Sequence, residues 1–308
     1  MTHDPLGANV GVLRRVFAWA GDPPDTSQGS KAQAFVVILL THLMARSWVA
    51  SWKADSFHLG YALAACLFAS FGLLYVLGKP GGPTRRAALW LAAALQCAIV
   101  ATTFPEVANH RYLEMLCILF VALFEIDRAE DCRSLVAALR WTFVIVLFHT
   151  GLQKLLYGTY FDGQFLAYEI AAEERFADFL KYFMSSEEYV RVRGLAGRDP
   201  GAGPFAVSSP AFLVISNLVW ILELTIPVAL MWRPTRALAA VAAIVFTFSL
   251  QLGARELMFG LLCANLGLLF FLRPVNRFFI VPLLVIYALL ILVAAQPDWL
   301  PLPDPEFN

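Results

Sequence analysis

Nine apolar runs dominate this chain, at 34–50, 58–78, 86–104, 111–126, 135–154, 211–231, 236–253, 256–272 and 278–295. A bilayer crossing needs about 20 mostly apolar residues in a helix, because the backbone must satisfy its own polar groups there. Composition agrees: 59% of residues are hydrophobic, 15% are charged and mean hydropathy is +0.67, whereas soluble domains carry roughly a quarter charged residues. The expected fold is therefore all-α, a polytopic membrane bundle of about nine transmembrane helices. Only Gly253-Ala254-Arg255-Glu256 divides the seventh and eighth runs, so the count there is open by one.

Loop charges set an expected orientation. Arg14, Arg15 and Lys31, then Lys79, Arg85 and Arg86, then Arg128 and Arg133, then Arg233 and Arg236, then Arg273 and Arg277 fall on one side. The opposite short loops hold only Lys53, Arg111 and Arg255. This bias places the N-terminus in the cytoplasm and the C-terminus outside a plasma (inner) membrane. Residues 1–33 read as a polar cytoplasmic segment rather than a secretory signal, so the first span is expected to insert uncleaved. Residues 34–295 form the transmembrane domain and 296–308 an extracytoplasmic tail.

The longest connection, about 155–210, is expected on the outer side. Within it Phe165, Ala172, Phe176, Phe179, Leu180 and Phe183 recur at helical spacing, with Glu169, Glu173, Asp178 and Lys181 between them. That pattern predicts one amphipathic interfacial helix over 165–184. The Gly- and Pro-rich stretch from Gly194 to Pro210 reads as a flexible return.

Cys66, Cys97, Cys117, Cys132 and Cys263 include no Cys-x-x-Cys pair and read as small apolar residues, which argues against thiol–disulfide quinone chemistry. No metal-binding spacing, nucleophile elbow or phosphate loop is present, so no metal is expected. Without a basic stripe, nucleic acid is not an expected partner.

Ionisable residues inside spans are the functional candidates. Lys154 ends the fifth run. It is either an interfacial anchor or a desolvated amine that can serve as a base. The fourth and fifth runs form an antiparallel hairpin whose arms are roughly 26–30 Å long at helical rise. His110 and Lys154 are therefore expected at similar depth on the outer side, a match in depth but not yet a contact. Asn109-His110 also suits a helix cap, and His149 suits a hydrogen bond within the bundle. His42 and Arg46 share a face of the first span. Arg46 is either a substrate-facing cation or the partner of a buried carboxylate, with Glu223 the first candidate and Glu114 the second.

Three segments in register resemble the membrane part of vitamin K-dependent γ-glutamyl carboxylase and its horizontally transferred transmembrane domain superfamily. They are Asn109-His110-Arg111-Tyr112-Leu113, then Gly151-Leu152-Gln153-Lys154-Leu155 followed by Tyr160-Phe161-Asp162-Gly163, then Glu223-Leu224 with Pro227 and Arg233-Pro234-Thr235-Arg236. Together they cover roughly 100 to 275. The resemblance implies a reduced quinone, of the vitamin K or menaquinol kind, as cofactor. It makes Lys154 the base that deprotonates the quinol and His110 its neighbour, with Asn109, Arg46 and Glu223 shaping the cofactor pocket. Where the family often carries a histidine after the seventh span, this chain has Phe246-Thr247-Phe248-Ser249-Leu250-Gln251. The expectation is a short, bacterial-type member lacking the large extracytoplasmic domain.

Two functions follow as expectations. One is quinol-dependent proton abstraction, leading to carboxylation or oxidation of a peptide. The other is a non-catalytic membrane accessory for maturation or export of a secreted peptide. Whether the chain is an enzyme stays open at this point; membrane lipids are expected partners in both.

Overall fold

The computed structural model describes residues 28–52, 58–105, 109–199, 204–250, 253–254, 256–271 and 277–295. Among them are helices α1 (Gln28–Ser51), α2 (Leu59–Leu77), α3 (Pro83–Thr103), α4 (Asn109–Leu123), α5 (Ala129–Tyr157), α6 (Gln164–Ala172), α7 (Glu174–Leu180), α8 (Ser186–Arg193), α9 (Pro210–Met231), α10 (Arg236–Ser249), α11 (Leu257–Leu268) and α12 (Arg277–Ala295), and no strand. Each apolar run coincides with one helix. Five of them, α1, α2, α3, α5 and α9, are long and apolar enough to cross a membrane, whereas α10, α11 and the 280–292 part of α12 are shorter apolar helices. Turn chemistry sets several starts. Pro83 and Pro210 occupy first-turn positions, where a missing N–H costs nothing. Glu130 and Asp131 open α5 and Lys154 lies in its last turn, both in the sense the helix dipole favours.

The chain divides into two compact units, one drawn from 1–142 and 261–308, the other from 143–260. In the first, α1 packs against α2, α4 and α12, and α3 packs against α2 and α4. Phe35, Ile38, Leu39 and Leu43 of α1 are buried, while α2 leaves Leu63, Leu67, Leu73 and Leu77 exposed, as an apolar solvent permits. Cations finish α11. Arg140 donates to Leu269 O at 2.9 and 2.6 Å, and Lys31 donates to Phe271 O. Lys31, counted as a loop charge from sequence, is instead 1% exposed within α1, which starts at Gln28 rather than near 34. Arg236 is likewise buried, with Nε donating to Leu230 O at 3.2 Å.

In the second unit α9 packs on α10, and Leu166, Ile170, Leu180, Val192, Phe205 and Phe212 close a core beside the membrane-type helices. The single interfacial helix expected over 165–184 is broken. Glu173 is extended (φ −126, ψ 125), separating α6 from α7, and Lys181–Phe183 tightens into a short 3-10 turn. Arg193 donates to Ile170 O at 2.9 Å, satisfying a carbonyl freed by the break. Within the return, the stretch 204–209 is fastened rather than loose. Arg191 donates to Pro204 O and Ala206 O, and Val207 N donates to Asp162 O at 3.1 Å. Helix α8 was not anticipated, although Ser185 caps it by accepting from Glu188 N at 3.2 Å, a Ser-x-x-Glu signature present in the sequence. The 296–308 tail, most of 1–33, and Lys53, Gln251, Arg255 and Arg273 lie outside the described residues.

Candidate functional site

Each unit holds a buried cluster of ionisable side chains built around one carboxylate. In the second unit, Gly151 on α5 lets α9 approach until Lys154 Nζ lies 2.8 and 2.7 Å from the two oxygens of Glu223. The Lys154 side chain is 20% exposed and that of Glu223 6%. The ammonium also stands 5.3 Å from the centre of the Tyr160 ring, a cation–π distance. Burial pushes the Tyr160 hydroxyl well above its ordinary range, with Glu223 and Glu169 adding to the shift, so this ring is a neutral wall. Glu256 acts on Lys154 electrostatically. Two of the three ammonium protons serve Glu223, and the third direction, on a partly exposed group, suits an oxygen such as a phenolic hydroxyl. A reduced quinone fits that donor set.

The first unit's cluster is built on Glu114 of α4, which is 1% exposed. Its Oε1 accepts from His42 Nε2 at 2.9 Å and from Arg46, and its Oε2 accepts from Gln96 at 3.1 Å. Tyr287 lies 2.9 Å from His42 Nδ1, and Arg46 Nη2 donates to His110 Nε2 at 2.9 Å. Arginine can only donate, so His110 Nε2 is the acceptor nitrogen and Nδ1 bears the proton. Glu114, a carboxylate, can only accept, so His42 donates to it through Nε2, and His42 Nδ1 shares a hydrogen bond with the Tyr287 hydroxyl. A chain of buried hydrogen bonds therefore ties α1, α3, α4 and α12 together.

These placements correct several expectations. Arg46 pairs with Glu114, not with Glu223, which is the partner of Lys154. His110 lies in the first unit with Arg46 and Lys154 in the second with Glu223, a division that leaves their match in depth as an expectation. His149 is exposed. Arg111, read as a loop charge, is buried in the first turn of α4. Cys117, Cys132 and Cys263 are buried as expected, but Cys66 is exposed on α2. The Asn109 side chain lies outside the described residues. Sequence reading did not single out Gln96 or Tyr287; both are polar groups within apolar runs, the signal that marked Glu114. Nor did it single out Tyr160 as the wall of Lys154. Among the described residues no group of three His, Cys, Asp or Glu could hold a metal ion. No protein-family model, curated protein or solved structure matches this chain.

Proposed function

We propose that this is a multi-pass protein of the plasma (inner) membrane, N-terminus cytoplasmic, C-terminus outside and nine spans in all. In this reading it uses a reduced quinone on a secreted peptide, in the manner of the carboxylase superfamily it resembles. The observation that carries the reading is the Lys154–Glu223 pair, a two-contact ion pair in apolar surroundings with one ammonium proton left to serve a ligand. Bound there, a quinol supplies an acidic hydroxyl and, with oxygen, the strong base needed to remove a peptide γ-proton.

The chain's own part is proton handling. Lys154, as paired, is already protonated and must first lose a proton to act as a base. Glu223 is in place to take it, and desolvation narrows the gap between the charged pair and the neutral one. Lys154 then accepts the ligand's proton, and the pair passes from neutral to singly positive. That charge offsets the negative charge left on the ligand oxygen.

The test is quinol-dependent oxygen uptake by the purified chain in vesicles. Uptake is expected from wild type and is expected to vanish in Lys154→Ala and Lys154→Arg, because a guanidinium does not release its proton. A second reading rests on Gly151: the close approach of α5 and α9 makes the same ion pair a fastener for a non-catalytic accessory of peptide maturation or export. In that case oxygen uptake is absent and Lys154→Arg retains peptide maturation.

A further inference from the structure

Among the described residues, the buried charge around Glu114 does not balance. Arg46 and Arg111 are permanent cations, while His110, which accepts from Arg46, is a neutral ring and no histidine can add negative charge. Glu114 offsets Arg46, and its two oxygens are already taken by His42, Arg46 and Gln96. Arg111 is the surplus. It is 6% exposed, and its Nε is buried with no hydrogen-bond partner among the described residues. It lies close enough to Arg46 and His110 to act on both electrostatically. In the same unit Glu125 and Asp127 lie beyond the other end of α4, where they meet Arg85, Arg86 and Arg128.

A buried guanidinium in that state is costly unless an anion meets it. Arg111 is also the third residue of α4, where backbone N–H groups have no partner within the helix and the helix dipole adds positive potential. A guanidinium carried on the first turn of a helix suits the oxygens of a phosphate. The end of a membrane helix is the depth at which lipid phosphates lie.

We infer that Arg111 and the N-terminus of α4 form a phosphate-binding site, filled either by an anionic lipid headgroup or by a free phosphate ion. The site stands independently of the proton-transfer reading for Lys154, because it belongs to the other unit and uses none of the same residues.

The experiment is thermal unfolding of the delipidated full chain in neutral detergent, as wild type, Arg111→Met and Arg111→Lys. One arm adds phosphatidylglycerol against phosphatidylcholine, and the other adds inorganic phosphate against chloride at equal ionic strength. Without additions, Arg111→Met is expected to melt at or above wild type, because it removes an uncompensated charge and keeps the stem. One of the two additions is expected to raise the wild-type midpoint by several degrees, saturably. It should raise Arg111→Lys less and Arg111→Met not at all, and the arm that responds names the source of the phosphate. The inference is overturned if neither addition stabilises wild type, or if both stabilise Arg111→Met equally. It is also overturned if Arg111→Met melts below wild type without additions, since Arg111 would then have its partner within the chain.

Discussion

Gly151 on α5 stands so close to Glu223 on α9 that a Cβ at position 151 would lie 2.8 Å from Glu223 Cβ and 3.0 Å from Glu223 C. Neither neighbour is the far end of a flexible side chain, so the helices must part to admit a methyl group. Gly151→Ala is expected to destabilise the chain by about 1–3 kcal/mol, the usual range for overpacking. It should also lengthen the Lys154–Glu223 contact. Thermal unfolding of Gly151→Ala beside Glu223→Gln checks both effects, and the double variant should lose less than the sum, since each substitution disturbs the same approach.

Glu114 is expected to be the most costly single residue to neutralise. Glu114→Gln leaves Arg46 buried without its counter-charge, a change of about 3–5 kcal/mol. Tyr287→Phe removes only the hydroxyl beside His42 and should cost about 1 kcal/mol. Unfolding midpoints of the two variants in one detergent give the comparison. Equal losses would mean that the cluster is held by packing rather than by charge.

The 186–209 segment should open in acid. Burial alone would raise the Glu188 carboxyl, but the amides and hydroxyls of Ser208 and Ser209 outweigh it and hold the carboxyl at about 2, below its ordinary 4.5. A depressed carboxyl adds stability that is fully present above about 4.5 and lost as the pH falls through about 2. Cleavage of this segment by an acid-active protease should therefore rise across that window in wild type. Glu188→Gln should be cut readily throughout it, with no such rise.

Orientation is open to direct labelling. Tyr182 is 76% exposed, on the long connection read as outside, and Lys79 is exposed on a loop read as inside. In a Cys66→Ala background, a membrane-impermeant maleimide should reach Tyr182→Cys on intact cells. It should reach Lys79→Cys only after permeabilisation.

The helices were legible because apolar length and turn residues act locally. Gly81-Gly82-Pro83 and Ser209-Pro210 end one element and start the next whatever the surroundings. Pairing between helices was not legible to the same degree. Lys154, Glu223, Arg46 and Glu114 all stand out as ionisable groups in apolar runs, yet which carboxylate meets which cation depends on how each helix is rotated about its axis. Runs that are apolar on every side give no information on that rotation, so Arg46 was matched first to Glu223.

Lys31, Arg111, Arg140 and Arg236 show a related limit. A cation near the end of a span reads the same in sequence whether it reaches water or turns inward. Here Lys31, Arg140 and Arg236 turn inward onto carbonyls near helix ends. The break at Glu173 was hidden for another reason: the apolar period continues from Phe165 to Phe183 across it, while the extended backbone there is supported by the long-range contact from Arg193 to Ile170 O.

The most direct test of proton transfer at Lys154–Glu223 is infrared difference spectroscopy on the vesicle-embedded protein before and after quinol addition. The expected result is a protonated carboxylic acid band that appears on quinol binding and is missing in Glu223→Gln. Were quinol to bind without protonating a carboxyl, or were the band to persist in Glu223→Gln, the pair would not be the proton acceptor, and Lys154 would remain only a fastener between α5 and α9.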